Sequence, residues 1–165
     1  MIEVTLETLQ MSLVSHHRVA VLRELEVPRY LPILIGPCEA DAIANSLNNV
    51  PIPRPQTHDL IVNLLQALNA SLVCIYVSEL ADNIYFARLV LDVGGREIEV
   101  DTRPSDAIAI AVRVGAPIFV TEEVMDEAAV LPERDITTAD REEKELSVFR
   151  DFLSTLDKDA EGGDQ

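Results

Sequence analysis

The stretch Gly95–Thr121, GREIEVDTRPSDAIAIAVRVGAPIFVT, constrains the fold most, because its hydrophobic period changes midway from that of a strand to that of a helix. Ile98 and Val100 alternate with Glu97, Glu99 and Asp101, which predicts a strand with one buried face. From Pro104 onward, Ile108, Val112 and the small residues Ala107, Ala109 and Ala111 predict a short, tightly packed helix that Gly115 ends. Pro104 suits the first turn, where its missing N–H costs nothing, and Ser105 and Asp106 can accept hydrogen bonds from the free N–H groups there. Residues 117–120 return as a short apolar strand. Asp101, Arg103, Ser105 and Asp106 therefore gather at one strand-to-helix junction.

A length of 165 residues suits one domain with a real core and room for a terminal appendage. That core is aliphatic, since aromatics make up 4% and Trp is absent. With no long apolar run and no basic-then-apolar leader, the expectation is a cytoplasmic protein with no membrane partner. Cys38 and Cys74 are expected to be two buried free thiols. The net charge of −16 is uneven: residues 1–120 hold 14 acidic and 8 basic side chains, and residues 121–165 hold 15 and 5. Such a chain is a poor general binder of nucleic acid, so phosphate chemistry would need a metal or a local arginine cluster.

The order of elements predicts an α+β fold: a mixed, mainly antiparallel sheet with a central three-strand meander, helices following strands, and a C-terminal amphipathic helix. Residues 2–14 read as a strand whose alternation slips near Thr8, as a bulge would produce. His16 and His17 fall in the turn to a strand over 18–25, and a third strand covers 31–35. A helix over 36–49 follows, then a proline-rich link over 50–56. Thr57 or Asp59 is expected to cap the next helix, with Leu60, Ile61, Leu64, Leu65 and Leu68 inward. Strands over 71–80 and 84–93 and the alternating strand that follows the Gly94-Gly95 turn complete the meander. The expected division is a domain over 1–128 and an acidic extension over 129–165, with a helix at about 139–157 and a disordered end. DAIA occurs at 41–44 and again at 106–109, each time after a helix-starting proline; the repeat is either chance likeness of alanine-rich helices or a pair of similar corners.

No phosphate loop, HExxH, CxxC or GxSxG is present. What remains are three helix starts: Glu39 and Asp41; Arg54, Thr57, His58 and Asp59; and Asp101, Arg103, Ser105 and Asp106. Helix starts favour such residues as caps in any case. Were the three to converge, Asp59, Asp101 and Asp106 could hold a divalent cation (Mg, Mn or Ca), Arg54 and Arg103 with Ser105 could grip phosphate, and His58 could move a proton.

RYLPILIGPCEADAIA (29–44), RPQTHDLIVNLLQALNA (54–70) and YFARLVLDVGGREIEVDTRPSDAIAIAVRVGAPIFVTEEV (85–124) resemble the signature blocks of the bifunctional nuclease family, across about residues 3–128. The resemblance implies a compact α+β domain, association into homo-oligomers, and a nuclease acting on DNA and RNA. From the matching blocks the expected catalytic set is His58, Asp59, Asp101 and Asp106, pointing into one cleft. The alternative is a non-catalytic oligomeric module that uses the same corners to bind an anion or a protein partner.

Overall fold

A computed structural model describes residues 1–11 and 18–131; His16, His17 and the expected helix at 139–157 lie outside the described residues. The fold is α+β. Seven strands form one sheet: β1 (Ile2–Met11), β2 (Arg18–Glu24), β3 (Tyr30–Ile35), β4 (Ala70–Ala81), β5 (Ile84–Val93), β6 (Arg96–Thr102) and β7 (Ile118–Val120). The helices are α1 (Pro37–Leu47), α2 (Thr57–Ala67), α3 (Pro104–Val114) and α4 (Glu122–Ala128).

The strand order is β3-β2-β1-β7-β4-β5-β6. All neighbours run antiparallel except β4 and β7, which are parallel, so the chain leaves the β4–β5–β6 meander through α3 and re-enters at the middle of the sheet. The slip expected near Thr8 is a register shift in the β1–β2 ladder between Leu6 and Thr8. Two tight turns make the meander, with positive φ at Asp82 and Asn83 in one and at Gly94 and Gly95 in the other. Such paired left-handed residues match the right-handed twist of the strands they join. Gly115, at φ 69°, ends α3 in the left-handed conformation that glycine adopts without a Cβ penalty.

The core lies between the sheet and the helices. Ile75 and Val77 of β4, Ala87 and Leu89 of β5, and Ala107, Ile108 and Ala111 of α3 are among its buried members. The alanines let α3 approach both the sheet and α1 closely. Ile43 of α1 and Met125 of α4 are buried in the same core.

Four expectations need correction. In β6, Ile98 and Val100 do face the helix side, paired with Leu91 and Leu89, but they stay about 40% exposed. As the edge strand, β6 lies beyond the reach of α3. In α2, the face turned inward carries His58, Ile61, Val62 and Leu65, while Leu60, Leu64 and Leu68 are exposed. Two overlapping apolar stripes run along that helix, and only packing selects between them. The residue preceding α2 is Gln56 rather than Thr57; Asp59 reaches back and accepts from the Gln56 N–H at 2.8 Å. The thiols also differ from expectation: Cys38 is exposed and Cys74 half-buried, both free.

Candidate active site

α1 and α3 start alike. Each follows a strand, opens with a proline and carries an acid two residues later, Glu39 in one and Asp106 in the other. The repeated DAIA is out of register with this likeness, since Asp41 follows its proline by four residues and Asp106 by two, and it is Arg103 that joins the two corners. Its Nη2 donates to Glu39 Oε1 at 2.7 Å, and its Nε donates to Asp106 Oδ2 at 2.8 Å. α2 brings its own start to the same place. His58 is the one buried residue of that helix, and its Nε2 lies 3.0 Å from Asp106 Oδ1.

The bond fixes roles at Asp106. Both of its oxygens are engaged, one by Arg103 and the other by His58 and, at 3.2 Å, by Arg103 Nη2. Burial pushes the Asp106 carboxyl up, but the hydrogen bonds from Arg103 and His58 outweigh it and hold the group below its ordinary value. Asp106 is therefore a carboxylate at neutral pH. A neutral His58 that donates Nε2–H to it leaves Nδ1 as an acceptor, and Nδ1 has no hydrogen-bond partner among the described residues.

His58, Asp106, Arg103, Glu39 and Asp41 line one cavity of about 540 Å³, with Cys38 at its α1 side. Glu39 and Asp41 are helix-start residues outside the expected catalytic set, and both line the cavity. The signal for Glu39 is its place two residues after Pro37, as Asp106 stands two after Pro104; the DAIA echo itself aligns Asp41 with Asp106.

Two of the expected catalytic residues are elsewhere. Asp59 turns toward Arg113, whose Nε donates to its Oδ1 at 2.6 Å. That bond, then the Gln56 N–H, holds the Asp59 carboxyl below its ordinary value. The Arg113 side chain is only 7% exposed and donates to the Ala109 and Ala42 carbonyls, so the pair ties α2 to α1 and α3. Asp101 is paired across the sheet with Arg88, at 3.8 Å, on the face opposite the helices. The expectation that His58, Asp59, Asp101 and Asp106 share one cleft thus fails for Asp59 and Asp101. The cause is parity along β6 for one and the stronger partner Arg113 for the other. Arg54 is exposed and does not line the cavity, and Ser105 is buried and lines a neighbouring one.

For a divalent cation the donor set is incomplete: among the described residues no group of three or more His, Cys, Asp and Glu is arranged to hold a metal. Asp41, exposed and without a partner among the described residues, and Glu39 offer only an open site of one or two carboxylates. An open site of that kind fits an ion such as Mg²⁺ that keeps most of its waters.

The fold and the site together define the class: an α+β domain whose helix starts converge on a histidine–carboxylate pair beside an arginine. The chain belongs to the bifunctional nuclease domain family, whose model matches residues 20–133. It is 44% identical over 145 residues to an uncharacterized protein of Mycobacterium tuberculosis, covering 86% of each chain. Bifunctional nuclease 1 of Oryza sativa subsp. japonica is 29% identical over 112 residues, 66% of this chain and 34% of that protein. Bifunctional nuclease 1 of Arabidopsis thaliana is 32% identical over 95 residues, 56% of this chain and 29% of that protein. The match thus spans about a third of the plant proteins.

Proposed function

We propose that this chain is a nuclease that hydrolyses phosphodiester bonds of DNA and RNA in the cavity between the starts of α1, α2 and α3. The observation that carries the reading is the 3.0 Å bond between buried His58 and the Asp106 carboxylate at the cavity wall. Asp106 holds the imidazole in one tautomer and stabilises its protonated form, and Nδ1 takes a proton from water. The water oxygen bonds to phosphorus, the P–O ester bond breaks, and the proton on His58 passes to the departing oxygen. Arg103, 66% exposed, has spare N–H donors for a phosphate oxygen.

Metal assistance is the second part of the proposal. Glu39, Asp41 and Asp106 outnumber Arg103, and a phosphodiester arriving there meets net negative charge. A cation (Mg²⁺, Mn²⁺ or Ca²⁺) held by Asp41 and Glu39 would supply the missing positive charge. In this reading the protein works in the cytoplasm, where the exposed Cys38 stays reduced, and as a homo-oligomer that covers the Leu60–Leu64–Leu68 stripe.

A second reading has one observation in its favour: Arg103, His58, Asp106 and Glu39 are paired with one another, as in a strut between helices. The corner would then brace a non-catalytic module. One experiment separates the two. Pure protein is incubated with single-stranded DNA and RNA, with EDTA or with each cation, beside His58→Ala and Asp106→Asn. Cleavage lost in both variants while circular dichroism is unchanged supports the nuclease; cleavage that survives both substitutions ends it.

A further inference from the structure

A second cavity of about 470 Å³ opens on the other side of Arg103, between β3, the β4–β5 turn and the start of α3. Its walls are apolar where the first cavity is charged: Pro32 and Leu34 from β3, and Ile84 and Tyr85 from β5. Leu34 and Ile84 are 68% and 59% exposed, large aliphatic side chains held against water. Asn83 and Ser105 supply polar groups at its edge. Arg103 lines both cavities, so a group bound at its guanidinium borders the charged cleft on one side and the apolar one on the other.

We propose that this second cavity is a base subsite, which receives one nucleobase of a single-stranded nucleic acid while the adjoining phosphate sits at Arg103. The inference rests on the nuclease reading and adds to it the form of the substrate. A nucleotide has the required arrangement: a flat face with little polarity joined through a sugar to a phosphate. The volume lies in the range of small-ligand pockets, and aliphatic walls beside the half-buried Tyr85 suit the apolar face of any base without choosing among the four. Asn83 and Ser105 can bond the base edge. In a duplex the base is stacked and paired, and the cavity is closed to it. The occupant is thus an unpaired base, and the enzyme takes single strands.

The test uses the full chain and a fluorescein-labelled DNA trinucleotide, intact or abasic at the central position. Anisotropy should show the abasic trinucleotide bound roughly tenfold more weakly, the effect of losing one stacked base. Ile84→Ser and Leu34→Ser, both at exposed positions, should narrow that difference. The same variants should raise KM for cleavage of the intact strand by a larger factor than they lower kcat, and by a larger factor than they raise KM for the abasic strand. Equal binding of the two trinucleotides, or no binding of either, overturns the proposal. If cleavage depends on His58 while the abasic strand binds as well as the intact one, the base subsite alone falls. If the intact strand binds better but nothing is cleaved, the nuclease reading alone falls.

Discussion

His58 Nε2 and Asp106 Oδ1 meet at 3.0 Å across 48 residues of sequence, joining the first turn of α2 to the first turn of α3. Neither helix start needs the other to form. Their meeting follows from α3 lying against both α1 and α2, and it makes one hydrogen-bonded pair out of two helix-start residues.

Removing either partner should therefore remove chemistry before it removes the fold. His58→Ala is expected to lower kcat for single-stranded DNA and RNA by about 10²- to 10⁴-fold. Asp106→Asn should fall in the same direction, because the amide neither fixes the histidine tautomer in the same way nor stabilises its charged form. Gel-based cleavage rates with far-ultraviolet circular dichroism as the folding control check both.

Arg103 sits between two carboxylates but is largely exposed, so its ion pairs contribute little stability, under about 1 kcal/mol. Arg103→Ala should leave the urea midpoint nearly unchanged. Its effect should appear in the pH–rate profile: without the guanidinium, Asp106 loses the main group holding its carboxyl down. The acidic limb should move to higher pH, and an unmoved limb would show that Arg103 does not set the charge on Asp106.

Asp59 is expected to matter for stability rather than catalysis. Asp59→Asn weakens a 2.6 Å charged bond to the part-buried Arg113, at a cost of about 2 kcal/mol. Denaturant unfolding should register that loss while kcat stays within about twofold of the parent. A large fall in kcat at full stability would return Asp59 to the catalytic set.

Acid should destabilise the domain through the same carboxylates. Asp59 and Asp106 both have carboxyl groups held lower in the folded chain than their ordinary value of 3.8. A depressed carboxylate contributes stability that is fully present above about pH 4–5 and is lost as the pH falls through the lower folded values. Urea midpoints measured from pH 6 to pH 2.5 should drop below about pH 4, and less steeply in Asp59→Asn.

Gly36 offers a separate handle on the charged cleft. A Cβ built there would collide with the Glu39 carboxylate, the free end of a flexible side chain. Gly36 has φ −70°, which any residue adopts, so Gly36→Ala should change stability by no more than about 0.5 kcal/mol. Glu39 would swing away from Arg103, and the Mg²⁺ concentration needed for half-maximal cleavage should rise. An unchanged requirement would remove Glu39 from the cation site.

The meander, the Pro104–Gly115 helix and the bulge near Thr8 were legible because each is written in local chemistry: alternation, a proline at a helix start, glycine at a left-handed cap. Errors arose wherever a choice depended on neighbours distant in sequence. α2 carries two apolar stripes, and only the position of α3 decides that Ile61 and Leu65 pack while Leu60 and Leu64 face water. β6 has an apolar alternation that an inner strand would bury, but its place at the sheet edge leaves Ile98 and Val100 exposed.

The candidate site divides in the same way. That His58, Arg103 and Asp106 are helix-start residues with titratable or charged groups is plain from the chain alone, since the proline-rich link over 50–56 and Pro104 mark where the two helices begin. Which of the acids would find the histidine was decided by tertiary structure: Arg113 from the last turn of α3 takes Asp59, strand parity sends Asp101 to the far face, and Asp106 is left for His58. Local propensity specifies each corner because its bonds lie within a few residues. The pairing between corners belongs to the packing of α1, α2 and α3, which no short stretch of sequence contains.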